Sequence, residues 1–165
     1  MNKKNYKIKK IEILRDPSTK KRRDIEYKTQ YTQEISDNID ILLNVMNKLR
    51  NKYGHPMIVS SGWRPPTFNA KVPGAATHSK HTQGLAVDIR DLDGKLRRWV
   101  LNNLDFIAQI GLYMEDFRWT SGWVHFQCVG PRSKHRIFIP YNPKTHPPLV
   151  PNVWDGKYDR EKLDY

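Results

Sequence analysis

A single cysteine, Cys128, stands among the 165 residues, so neither an intrachain disulfide nor a thiolate zinc cluster can form. A nucleophilic Cys128 would need a positioned histidine; the nearest, His125, is better placed for another task, and a structural role is expected. Long apolar runs are missing too. None approaches a membrane span, and the N-terminus carries charge where a signal peptide needs its apolar centre, so synthesis in the cytoplasm without a signal peptide is the expectation. No internal repeat is visible, and the length suits one domain with a real core. Acidic residues are scarce, 17 Asp and Glu against 29 Lys and Arg, giving a formal charge of +12. Such a balance favours anionic partners without identifying any chemistry. Much of the charge lies early, in Lys3, Lys4, Lys7, Lys9, Lys10 and Arg15 among others, where a solvated arm over residues 1–30 is the plain expectation.

What is present divides the chain into that basic arm (1–30), a central domain (31–140) and a tail (141–165). Within the arm, apolar and charged residues alternate through Tyr6 to Leu14, which predicts an edge strand turning at Asp16-Pro17-Ser18. From Thr32 to Tyr53, the residues Ile35, Ile39, Leu42, Leu43, Met46 and Leu49 make one helical face, with Thr32 or Ser36 as cap and Gly54 as stop. Residues 56–62 predict a short buried strand ending at a proline-stiffened loop that carries Trp63 and Arg64. After a loop at 69–78 comes a strand at 85–89, and then a helix at 95–109 with Asp93 as its cap. Asp91 and Asp93 are expected to cap and be solvated rather than to bind a cation. Strands at 112–117, 122–128 and 136–139 follow, and the prolines of 140–165 suit an extended wrap.

The chemistry concentrates in Ser79-Lys80-His81-Thr82-Gln83-Gly84-Leu85-Ala86-Val87-Asp88, which sets an imidazole and a carboxylate seven residues apart. With a third ligand they make an open zinc site, in which three protein ligands leave one position for water. The best third ligand is His125, in the strand-like run Trp123-Val124-His125-Phe126. His78, three before His81, would suit helical pairing of ligands, but Pro73, Gly74 and Ser79 argue against a helix, so it is expected in the cleft wall. Trp123 shares the strand face of His125, where it either walls the cleft or packs in the core.

Ser-x-His-x-x-Gly-x-Ala-x-Asp, preceded by Ser61-Gly62-Trp63-Arg64 and followed by Trp-x-His, resembles the zinc D-Ala-D-Ala carboxypeptidase and L-alanyl-D-glutamate endopeptidase family over roughly residues 55–130. The resemblance implies an α+β fold like that of the hedgehog and D-Ala-D-Ala peptidase group, a small antiparallel sheet with helices on one side. It implies one zinc per chain on His81, Asp88 and His125, with Ser79 contacting substrate and Arg64 orienting it. The implied activity is cleavage of bacterial peptidoglycan stem peptides, as endopeptidase or carboxypeptidase, by a monomer resembling phage lysis enzymes or virion-associated wall hydrolases. In the carboxypeptidase branch the general base sits three before the last histidine; here that residue is Gly122. Glu115 and Asp116 on the preceding strand are the substitutes. A hairpin centred on Thr120 puts Glu115 opposite His125, and a half-residue shift puts Asp116 there. Two rival expectations remain: a zinc-containing peptidoglycan-binding module without turnover, favoured by Gly122, and, on charge alone, a nucleic-acid binder.

Overall fold

The computed structural model describes residues 7–131 and 136–138. Its longest element is helix α3 (Gln33–Tyr53), which the apolar spacing predicts. Thr32 caps it, accepting a hydrogen bond from the Ile35 amide at 3.3 Å, and Gly54 closes it in a left-handed conformation. Its stripe of Ile39, Leu42, Met46 and Leu49 is fully buried.

That stripe packs on a sheet whose strands are β1 (Val59–Ser61), β2 (Ala86–Arg90), β3 (Tyr113–Glu115), β4 (Trp123–Gln127) and β5 (Ile137–Phe138), in the order β1-β2-β4-β3-β5. The first four pair antiparallel and β5 joins β3 in parallel. Alternation along the strands sends Val87, Ile89, Met114, Val124 and Phe126 into the core with the helices. The opposite face carries Asp88 and Arg90 on β2, Glu115 on β3, and Trp123, His125 and Gln127 on β4. The α+β architecture expected from the sequence is therefore present, with one parallel strand added to the antiparallel body.

Three expectations need correction. Residues 56–62 do not form a buried strand: β1 is the sheet edge, half-buried, with Ile58 exposed. Past the short helix α4 (Pro66–Asn69), the helix expected over 95–109 is two, α5 (Lys95–Leu101) and α6 (Leu104–Gln109), broken where the Asn103 side-chain amide donates back to the Trp99 carbonyl at 2.7 Å. Third, the N-terminal alternation gives helix α1 (Lys10–Leu14), not an edge strand. Glu12 closes a capping box on Lys9, and the consecutive residues Ile13 and Leu14 are both buried, which a strand on one sheet face would not allow. The wrap expected over 140–165 lies outside the described residues.

Residues 8–26 are accordingly no solvated arm. The Ile13 carbonyl accepts from the Trp63 amide at 2.9 Å, and a Cβ on Gly62 would stand 2.2 Å from that same oxygen. Beyond it, Asp16 accepts from the amides of Ser18 and Thr19 and pairs with Arg23 of helix α2 (Arg23–Glu26) at 2.8 Å. Arg23, buried and stacked over Phe68, also donates to the Trp63 carbonyl at 2.8 Å. Burial works against the Asp16 charge, but these amides and Arg23 outweigh it and hold the carboxyl down to about 2. The stability this confers is complete above the ordinary carboxylate range and lost as pH falls through about 2. Arg23→Met, which strands Asp16, is expected to cost about 3 kcal/mol in urea unfolding at neutral pH. Near pH 2 its deficit against the wild type should shrink; a deficit independent of pH would contradict the assignment.

Candidate metal centre

Strands β2 and β4 set Asp88 and His125 directly opposite one another on the sheet face away from the core. His81 arrives from the loop before β2, and that loop is strapped on several sides. The Arg64 amide donates to the His81 carbonyl at 3.1 Å, the Trp63 indole to the Thr82 carbonyl at 3.2 Å, and the Asn38 amide to the Gln83 carbonyl at 2.9 Å. Gly84, with φ of 74°, completes the turn against α3, where a Cβ would press on Ile39 and Ile35. His81 and His125 are buried, while the Asp88 side chain keeps 14% of its surface exposed.

The outer nitrogens of both rings are committed. His81 Nδ1 lies 2.8 Å from the Gly62 carbonyl, which can only accept, so the proton sits on Nδ1. His125 Nε2 lies 3.2 Å from Gln127 Oε1, whose amide is oriented by donating its own Nε2 to the Val129 carbonyl at 2.5 Å. In its neutral form each ring therefore turns a bare lone pair inward. His81 Nε2, His125 Nδ1 and Asp88 Oδ1 form a triangle with sides of 3.2, 2.9 and 3.2 Å. One face of a tetrahedron with bonds of the length zinc makes to nitrogen and oxygen has edges of about 3.3 Å. Three acceptors at this separation repel unless a cation or proton lies among them. A proton is one remedy: burial opposes charge on His125, yet the Glu115 charge and the Asp88 hydrogen bond push it up to about 9. Burial drives His81 down, and although burial alone would raise Asp88, the two histidines hold its carboxyl well below the usual range. A divalent cation is the fuller remedy, and among the described residues these three form the His, Cys, Asp and Glu group able to hold one.

The remaining candidates fall at different distances from this triangle. Arg64 sits on the loop beside His81; burial lowers its pKa, with Asp88 and Glu115 acting in the opposite direction. Its Nε is buried without a hydrogen-bond partner. The hairpin register pairs Tyr113 with Gln127 and Met114 with Phe126, and its continuation brings Glu115 across from His125, the alternative centred on Thr120. Asp116 is buried differently, accepting from the Arg118 backbone amide and guanidinium as the cap of a short 3-10 turn (Phe117–Trp119). Gly122 has φ of 84° in the turn entering β4, a conformation that a carboxylate side chain at this position would strain. Ser79 lies next to the site, its Oγ accepting from the His81 amide at 3.3 Å. His78 is exposed and outside the triangle, and Trp123 is 36% exposed at the rim. Sequence reasoning missed Gly62 and Gln127, which fix the two tautomers. Gly62 could have been suspected from its place beside Trp63 and Arg64; Gln127, two residues after His125, was visible only as a same-face neighbour.

The family model described as Peptidase M15 matches residues 19–126, more than half of the chain. The chain belongs to the peptidase M15 family. Comparison with curated proteins and with solved structures finds no match. M15 peptidases are the zinc-dependent, D-Ala-D-Ala carboxypeptidase-like group that the sequence motifs resemble, and the donor set built here, two imidazoles and a carboxylate, has the chemistry zinc takes. The M15 match begins at residue 19 and so includes Arg23, which braces the loop behind His81.

If Gln127 fixes the His125 tautomer, Gln127→Leu should leave the fold intact and weaken zinc binding about 10- to 100-fold. Competition with a chromophoric chelator measures this. Unchanged affinity would remove Gln127 from the centre.

Proposed function

We propose that this M15 peptidase is a zinc enzyme that hydrolyses a peptide bond in bacterial peptidoglycan stem peptides, as endopeptidase or carboxypeptidase. The observation that carries the reading is the triangle of His81 Nε2, His125 Nδ1 and Asp88 Oδ1, with the outer nitrogen of each ring held from behind. Those three residues would hold one zinc, which supplies Lewis acidity to polarise a carbonyl and activate water. The partial exposure of Asp88 leaves an approach for substrate from the open sheet face.

The chain's own residues complete the machinery. Glu115, across from His125, takes the proton of the attacking water and returns it to the leaving amine. Asp116 is spent as a cap and does not compete for that role. Arg64 is a half-buried guanidinium whose Nε has no hydrogen-bond partner, suited to steady the oxyanion as charge develops. Ser79 and Trp123 border the cleft, and His78 stands further out on the same loop. The charge of +12 suits the anionic polymers of a cell wall, in keeping with a phage-type lysis or virion-associated wall hydrolase. No described helix is long and apolar enough to cross a membrane.

The feature favouring a binding module without turnover is Gly122, where the carboxypeptidase branch carries its base. Glu115 answers it from the neighbouring strand. Purified peptidoglycan incubated with zinc-loaded protein should release peptide fragments, whose masses name the bond, and His81→Ala should release none. Glu115→Gln should keep its zinc and lose about 10²- to 10⁴-fold in kcat. Absence of fragments from wild-type protein carrying one zinc would sink the enzyme reading and support the binding module.

A further inference from the structure

One step along the strands from the metal triangle lies a second row of side chains on the same sheet face. Arg90 is two residues after Asp88 and pairs directly with Trp123, itself two residues before His125. On its other side, the Arg90 amide donates to the Ile58 carbonyl at 2.9 Å, so Ile58, just before the edge strand, continues the row. All three are exposed, Ile58 by 55% and Trp123 by 36%. Leu92 extends the patch: it is 79% exposed, and its Cδ2 would lie 3.3 Å from a Cβ on Gly122. Ile58, Arg90 and Leu92 also line a groove of about 730 Å³ with Tyr53, Leu96 and Trp99, which includes neither Trp123 nor a residue of the metal triangle.

This patch is an apolar and aromatic shelf with one guanidinium in it. The acids nearest in sequence are already committed. Asp91 is buried, accepting from the Leu96 and Arg97 amides and the Arg97 guanidinium, and Asp93 pairs with Lys95 at 2.9 Å. The Arg90 side chain has no ion pair or hydrogen bond among the described residues. An arginine left over in this way, flanked by exposed apolar side chains and contiguous with a peptidase centre, is placed to take a carboxylate from a substrate lying along the sheet.

We propose that Arg90, with Trp123 and Ile58 beside it, is a specificity subsite for a free carboxylate on the substrate; the proposal rests on the peptidase reading above. Two residues of strand span about 6.6 Å, which is also about two residues of an extended peptide. The carboxylate it reads therefore lies about two residues from the cleaved bond, a different one from any that Arg64 meets at the centre. Stem peptides carry such groups on D-glutamate and on a diaminopimelate third residue. Amidation of either removes the charge with little change of shape.

The test uses four synthetic stem pentapeptides: D-glutamate with its α-carboxylate free or amidated, each with a third-residue diaminopimelate free or amidated. Binding by calorimetry and cleavage by chromatography are measured for zinc-loaded wild type and Arg90→Gln. One of the two amidations should weaken wild-type binding and kcat/KM about fivefold, in line with a partly exposed ion pair. Arg90→Gln should lose that discrimination while handling the amidated peptide as the wild type does. Equal loss on all four peptides, or discrimination that survives Arg90→Gln, would overturn the subsite. Arg90-dependent discrimination in binding without any cleavage would keep the subsite and overturn the peptidase reading instead.

Discussion

Two imidazole nitrogens and a carboxylate oxygen are held within 3.2 Å of one another in a mostly buried place, an arrangement that repels itself unless a proton or a cation lies among them. Left free, either ring would rotate or change tautomer. Neither can, because Gly62 and Gln127 hold the outer nitrogens as donors, and because a rigid antiparallel pair sets Asp88 against His125. The free energy that a cation recovers here is the counterpart of what the fold spends in keeping three acceptors together.

The scaffold's remaining parts follow from that constraint. Helix α3 backs the sheet and receives the turn at Gly84, so that His81 enters at a fixed height. The N-terminal segment braces the other side: Ile13 takes the Trp63 amide and Arg23 the Trp63 carbonyl, and between Gly62 and Arg64 the chain has little freedom to move. Residues that read as a basic fringe are thus structural support for a ligand more than fifty positions later in the chain.

Much of the centre was legible in the sequence. His81 and Asp88 sit in one short motif and His125 in a strand-like run, and the resemblance to the zinc peptidase family joined the three. The long helix was equally plain, since its apolar stripe, cap and stop agree. The N-terminal helix was not, because five residues of mixed Lys and Ile fit a strand as well as a single turn of helix, and only the docking of Ile13 and Leu14 on the core decides between them. Similarly, the hairpin that carries Glu115 and Asp116 had two registers half a residue apart. The Gly122 turn and the capping task of Asp116 separate them, and both are set by tertiary contacts.

The nitrogen that each histidine turns toward the metal decides whether the centre works as described. Long-range ¹H–¹⁵N spectra of the zinc-loaded protein report this for each imidazole. Protons on His81 Nδ1 and His125 Nε2, with His81 Nε2 and His125 Nδ1 both shifted as zinc ligands, are the predicted result. Coordination of His125 through Nε2, or either ring left unligated with zinc bound, would contradict it.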